Sequence, residues 1–326
     1  MKTKKQFLKY VITGGSGFIG SNLANYIDNI EECKIFILDK ELPPRELSNK
    51  VYFKKINILE KVKLKELLLE IKPNYIFHLA ARTNLNGNKI SDYRVNYEGV
   101  NNIIEASKNL KSLKRIIFAS SMLVCKLGYI PKDDNDFLPP NKYGLSKVLA
   151  EKIIRKSNIK VSWCIVRPTS IWGPGFKIPY SKFFELISQG RYFHIGNSKV
   201  YKTYGYIENT CFQLYKLINA SKDQIEKKVF YLGDSNNYII RDWAIEIAKE
   251  SNSKEIKIIP KLIVFLVAIL GSILKKIGIN FPMTIFRYKN MTKDNRIDLR
   301  KIKTLASQLP YTRIEGTRRT INWMKK

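Results

Sequence analysis

Tyr143 and Lys147 stand four residues apart in the run Tyr143-Gly-Leu-Ser-Lys147. On a helix that spacing puts a phenol and an ammonium on one face. A free tyrosine ionises at about pH 10 and is a poor base at neutrality. A cation held beside it favours the phenolate, which can then take a proton from a hydroxyl and later return it. Alone, such a pair reads as an ordinary helix surface pair; its surroundings decide. Ser120 and Ser121 follow the run Arg115 to Ala119 and so lie at the carboxyl end of a strand. The Ser121 hydroxyl is placed to hydrogen-bond a reacting oxygen, whereas Ser120 reads as satisfying a strand-end backbone group.

A second constellation lies near the amino end. An apolar run, Leu8 to Ile12, ends in Gly14, Gly17 and Gly20 at three-residue spacing, and an amphipathic segment follows. Glycines there let the backbone turn sharply and approach a pyrophosphate, and the opening helix offers its N–H groups and positive end. Asp39 closes the next apolar run, Ile35 to Leu38. That is about 20 residues on, where a carboxylate accepts hydrogen bonds from an adenosine ribose. The two constellations together imply a dinucleotide with a redox-active nicotinamide beside Tyr143, and Lys147 placed to hold its ribose. Asp39 repels a 2′-phosphate, which favours NAD over NADP, although Lys40 is adjacent.

Positioning such groups requires strands and helices in alternation. The pattern predicts strand 8–13, helix 17–29, strands 33–39 and 51–56, helix 60–71, strand 75–80, helix 95–110, strand 115–120, helix 143–157 and strand 160–167. These are the parts of an α/β, Rossmann-type doubly wound parallel sheet, with a smaller C-terminal substrate region. After Arg167-Pro168 the character changes, and Pro168, Gly173, Pro174 and Gly175 interrupt regular structure. The expected division is an NAD-binding domain over 1–167, to which 206–235 returns through a helix at 209–220 and a strand from Val229 to Leu232. The substrate region then comprises 168–205 and 236–326. Four scattered cysteines without CxxC spacing and two histidines exclude a disulfide framework and a zinc site, so no metal is expected. The basic start, Met1 to Tyr10, lacks a long apolar core or small-residue cleavage site, so a signal peptide is not expected.

The quoted motifs extend further: Thr13-Gly-Gly-Ser-Gly-Phe-Ile-Gly20, His78-Leu-Ala-Ala81, Val95-Asn96, Phe118-Ala-Ser-Ser121 and Arg167-Pro-Thr-Ser-Ile-Trp-Gly-Pro174. Over nearly its whole length the chain resembles the extended short-chain dehydrogenase/reductases, in their nucleotide-sugar epimerase/dehydratase branch. The resemblance implies a catalytic triad of Ser121, Tyr143 and Lys147. It implies NAD contacts at Gly14, Gly17, Phe18, Ile19, Gly20 and Asp39, at Asn57 and Ile58, and at Ala80 and Ala81 lining the groove. Asn96 matches a structural or cofactor-side position, and Pro168 follows the strand beside the nicotinamide. It also implies a homodimer through two helices of the main domain.

Departures from the family pattern carry information. Asn57 stands where an adenine-contacting Asp is usual, and an amide keeps one such bond. Lys202 lies near an Arg that grips the substrate diphosphate, and it supplies charge without a planar fork. Cys125 replaces a Tyr and reads as packing, and His194 and His78 read as structural. Met122 and Leu123 follow Ser121 where the related 4,6-dehydratases carry an Asp-Glu pair. Neither can act as acid or base, so dehydration is not expected. Oxidation and reduction at one carbinol remain: an NAD-retaining epimerase of a nucleotide- or lipid-diphosphate-linked sugar at C4, in surface polysaccharide synthesis, or a keto-sugar reductase. A non-catalytic nucleotide-binding protein at a membrane is the reading outside enzymology, and the intact triad argues against it.

The net charge is +30, and 17 basic against 4 acidic residues lie between Lys254 and Lys326. Such a field attracts a sugar diphosphate or an anionic membrane surface; the plain alternative is a lysine-rich solvated surface. No nucleic-acid-binding signature accompanies it, so no specific nucleic acid is expected. Leu262 to Leu274 form a charge-free apolar run between Lys257 and Lys261 on one side and Lys275 and Lys276 on the other. It is short of the ~20 residues that a membrane span needs. The plain reading is a buried helix of the substrate region. The other is a helix resting in a membrane interface, which places the protein in the cytoplasm and peripherally on the inner face of the membrane.

Overall fold

The computed structural model describes residues 7–44, 46–178, 180–279 and 281–325, so the basic start from Met1 to Gln6 lies outside them. Two compact units result. The first gathers the described residues up to Thr169 with Ile207–Gly233 and Asp298–Pro310; the second comprises Ser170–Tyr206, Asp234–Ile297 and the described residues from Tyr311. The segment Asp298–Pro310 was expected in the second region. It joins the first because its short helix, Arg300–Lys303, packs on the strand Val229–Leu232.

In chain order the first unit opens with β1 (Leu8–Thr13), α1 (Phe18–Ile30), β2 (Cys33–Asp39), β3 (Val51–Lys55), α2 (Lys61–Ile71), β4 (Tyr75–His78) and α3 (Arg94–Ser107). It continues with β5 (Arg115–Ala119), α4 (Lys142–Lys156) and β6 (Ser162–Pro168). The sheet runs β3, β2, β1, β4, β5, β6 and then Val229–Leu232, all pairs parallel. Its strands read as apolar runs because both faces are covered: Val11, Ile12, Ile76, Phe77, Ile116 and Ile117 are all fully buried. The order reverses between β1 and β4, and ligands of such sheets bind beyond the carboxyl ends of the strands at that switch. There Thr13 pairs with Leu38 on one side and with His78 on the other.

Helix α4 begins at Asn141, whose Oδ1 accepts from Gly144 N at 2.9 Å, and ends in Arg155 and Lys156, which suit its negative pole. Its inward stripe is polar: Tyr143, Lys147 and Glu151, at steps of four, are all buried. Glu151 holds the helix to the sheet. Arg167 of β6 donates to it twice, Nε to Oε1 and a terminal nitrogen to Oε2, each at 2.8 Å. Neither side chain touches solvent. Ser120 donates to the same carboxylate at 2.6 Å, and Arg167 also reaches Asp134 O at 2.7 Å and the Tyr231 hydroxyl at 3.0 Å. The Glu151 bonds hold the guanidinium in its charged form against the cost of burial.

The second unit has no large sheet. Short pairs join Ser170–Trp172 to Tyr204–Tyr206, Tyr201–Lys202 to Tyr238–Ile239, and Phe193–Ile195 to Lys257–Ile259. Its core is aromatic: Trp172 lies 4.9 Å from Trp243 and 5.0 Å from Tyr206, ring centre to ring centre. The apolar run near the end forms helix Lys261–Lys276, and it is not buried as the plain reading required. Only Val264, Ala268 and Gly271 face inward, while Leu262, Leu266, Leu270 and Ile273 are each more than half exposed.

Arg167→Met is expected to leave the buried Glu151 charge with only Arg155, at 3.4 Å, as an ion-pair partner and to cost about 3 kcal/mol. Urea unfolding of the variant and the native chain checks this; a difference below about 1 kcal/mol contradicts the pinning role.

Candidate active site

The glycine turn sits at the switch point. Gly14 has φ +69, and a Cβ there would lie 2.7 Å from the Ala80 backbone. A Cβ on Gly20 would strike Gly14 O, so the start of α1 lies directly on the loop. Gly17 caps α1 with no side-chain bond, and the first turn, Phe18, Ile19 and Gly20, holds no acidic residue. The positive end of the helix is therefore left for an anion. Asp39 closes β2 over this turn: its carboxylate accepts from Ser16 N at 3.0 Å and from Lys40 N at 2.8 Å. From β4, Ala80 N donates to Thr13 Oγ1 at 3.3 Å, which fixes the Ala80–Ala81 edge beside the turn. A cradle closed to a Cβ at Gly14 and Gly20, an uncapped helix end and a carboxylate at the next strand's end fit the diphosphate and ribose of NAD.

Other expected cofactor residues divide. Asn57 is exposed and its Oδ1 accepts from Leu59 N at 3.1 Å, while the Ile58 side chain is part of the core. Asn96 is fully engaged: Oδ1 accepts from Arg82 N at 2.7 Å, and Nδ2 donates to Arg82 O and, at 2.8 Å, to Ser146 Oγ. These bonds strap the loop at Arg82 to α4. Pro168 ends β6, and after it the Thr169 hydroxyl is buried with no hydrogen-bond partner among the described residues.

Ser121, Tyr143 and Lys147 converge beyond β5. The Tyr143 hydroxyl is hydrogen-bonded to Ser121, whose Oγ also accepts from Leu123 N at 3.1 Å. Lys147 Nζ donates to Ala119 O, the last residue of β5, at 2.8 Å. All three side chains are more than nine-tenths buried. Burial raises the Tyr143 phenol, an effect that the Ser121 bond opposes. Burial pushes Lys147 down to about 8, with Glu151 one turn on pulling it back up. His78, whose Nδ1 is 2.8 Å from Thr13 Oγ1, is pushed down to about 3 by burial and then by the Lys147 charge, so it stays neutral. Ser120 is a different case from Ser121, since its hydroxyl is committed to Glu151.

Glu151 and Arg167 were not singled out by the sequence as positioning groups. The available signal was a carboxylate eight residues after Tyr143, on the stripe that Tyr143 and Lys147 already define. Cys125 is buried and its thiol reaches Asp136 O at 3.4 Å, which is packing. In the second unit, Lys202 is buried and pushed down to about 8 by that burial, with Asp294 opposing, and it makes no ion pair among the described residues. His194 is buried in the same unit, its Nδ1 3.4 Å from the Tyr192 hydroxyl. No cluster of metal-binding side chains occurs among the described residues.

The model of the NAD dependent epimerase/dehydratase family matches residues 10–233. The N-acetyl-alpha-D-glucosaminyl-diphospho-ditrans,octacis-undecaprenol 4-epimerase of Escherichia coli O157:H7 is 28% identical over 243 residues, 71% of each chain. A dTDP-D-glucose 4,6-dehydratase of Dictyostelium discoideum is 31% identical over 234 residues, 62% of this chain and 53% of that one. Among solved structures, the UDP-glucuronic acid 4-epimerase of Bacillus cereus in complex with NAD superimposes with a TM-score of 0.74. It is 20% identical, over 98% of this chain and 99% of that one, and this likeness carries the fold alone.

Lys147 yields a prediction about stability. Between pH 8 and 10.5 the unfolded chain holds its proton and the folded chain does not, so this group makes stability rise with pH across that window. Below it the burial penalty is complete. Lys147→Met is therefore expected to stabilise the protein at pH 7 by up to about 3 kcal/mol. The advantage should shrink towards pH 10.5, as followed by urea unfolding at several pH values. A variant less stable than the native chain at every pH contradicts it.

Proposed function

Because this chain belongs to the NAD-dependent epimerase/dehydratase family, we propose that it is an epimerase of a diphosphate-linked sugar. The reaction inverts a ring hydroxyl, at C4, in making surface polysaccharide precursors. The observation that carries this reading is the buried Ser121–Tyr143–Lys147 set with no acid or base in the two positions after Ser121. Met122 and Leu123 form the turn after Ser121, so elimination of water has no catalyst there. The activity of the E. coli relative, a 4-epimerase of an undecaprenol-diphosphate sugar, supports C4 and admits a polyprenyl carrier beside a nucleotide.

Bound NAD supplies a two-electron acceptor that returns what it takes. The rest falls to the chain. Tyr143 receives the hydroxyl proton as the carbon is oxidised and gives it back when the carbon is reduced again. Ser121 donates to the sugar oxygen and steadies it through both halves. Lys147 holds positive charge beneath the phenol and favours its ionised form. Asp39, the Gly14–Gly20 turn and Ala80 and Ala81 hold the cofactor, with Asn57 at its adenine end. Lys202 is our candidate for the substrate's diphosphate: a buried cation with no ion-pair partner among the described residues invites an anion. A homodimer at the inner face of a membrane completes the reading.

Purified protein is expected to carry NAD and to interconvert epimers of a nucleotide- or polyprenyl-diphosphate-linked N-acetylhexosamine with no added cofactor. Tyr143→Phe should lower kcat by about two to four orders of magnitude while NAD stays bound. Stoichiometric consumption of NADH or NADPH with a keto sugar would instead establish a reductase.

A further inference from the structure

Helix Lys261–Lys276 turns one narrow stripe inward and a wide one outward. Leu262, Ile263, Leu266, Leu270 and Ile273 recur at helical spacing on the outer side, and all are exposed. Ile277 and Ile279 extend this stripe beyond the helix, and Phe286 of helix Ile285–Thr292 adds a ring that is 72% exposed. A contiguous apolar surface of this kind is unusual on a soluble monomer. It is also firmly built. A Cβ on Gly271 would strike Met283 O, Ile285 N donates to Ser272 Oγ at 2.9 Å, and the Phe265 and Tyr288 rings meet at 5.4 Å. The outward stripe is thus the face of a packed hairpin.

Charge identifies what covers it. Residues 256–293 contain seven basic and no acidic residues. Lys257 and Lys261 stand at one end of the helix, Lys275 and Lys276 at the other, and Arg287, Lys289 and Lys293 on the second helix, all exposed. A second copy of the chain would bring these cations against one another. An anionic bilayer satisfies both halves of the surface: the apolar stripe enters the acyl boundary, and the lysine stems reach back to the headgroups. The helix lies in the interface and does not cross it, since no described helix is long and apolar enough to span. We infer that this hairpin is the surface by which the protein docks on an anionic lipid bilayer. The inference rests on the membrane-proximal reading above and deepens it on the helix that carries it, and its test reads binding, not turnover.

The test is co-sedimentation of the full chain with vesicles. Vesicles containing phosphatidylglycerol should retain the protein, added salt should weaken retention, and vesicles of phosphatidylcholine alone should retain far less. Leu266→Glu with Leu270→Glu should lower partitioning by roughly a hundredfold while the unfolding midpoint and NAD binding stay native. Should that variant misfold, Lys275→Gln with Lys276→Gln, clear of the packed stripe, should lower it by roughly tenfold. Native protein left in the supernatant overturns the inference. So does retention unchanged by the substitutions, or a dimer that they disperse when the native chain binds no vesicle.

Discussion

A carboxylate and a guanidinium sealed from water hold the helix of the proposed site in place. Glu151 lies on the helix that carries Tyr143 and Lys147, and Arg167 lies on the strand beneath it. Their double hydrogen bond sets the rotation and height of α4 on the sheet. Four neighbours share the same carboxylate or guanidinium: Ser120 at the end of β5, Arg155, the backbone at Asp134 and the Tyr231 hydroxyl. A buried pair of this kind adds little net stability, yet losing one member is costly. It therefore acts as a locating pin. It works with the Lys147 bond to Ala119 O and the Asn96 bond to Ser146, which tie the same helix at other points.

The same helix gathers opposing electrostatic demands. Lys147 is charged at neutral pH but only narrowly, because burial brings its proton affinity down while Glu151 restores part of it. Tyr143 is pushed the other way and stays a phenol in the free protein. His78 lies near enough to feel the Lys147 charge and stays neutral, so it adds no second cation. In the proposed reaction the positive nicotinamide ring, bound beside this set, would tip the phenol towards ionisation. Groups arranged in this way are costly to fold around, which is a usual mark of a working site.

Much of this was legible in the sequence, for identifiable reasons. Fully buried parallel strands read as apolar runs, so β1, β2, β4, β5 and β6 fell within two residues of expectation. Gly14 and Gly20 were readable because only glycine tolerates the close approaches found there. Tyr143 and Lys147 were readable because helical spacing brings them onto one face. The Glu151–Arg167 pair was harder, because the partners sit on different elements and nothing local links them. Asn96 was ambiguous for a related reason: its amide contacts lie on a loop and on a helix 50 residues away. The run from Leu262 to Leu274 has no internal signal for burial, since its apolar residues surround the helix on nearly every side. Only the packed hairpin shows which stripe faces out.

The most direct measurement is the ionisation of Tyr143 itself. Ultraviolet difference titration of native protein against Tyr143→Phe isolates its phenolate band, first without cofactor and then with NAD bound. Without cofactor the band should emerge only above the ordinary tyrosine range, as burial dictates. With NAD it should emerge at distinctly lower pH. Superimposable curves in the two states, or no difference band at all, would contradict a phenol poised for proton transfer.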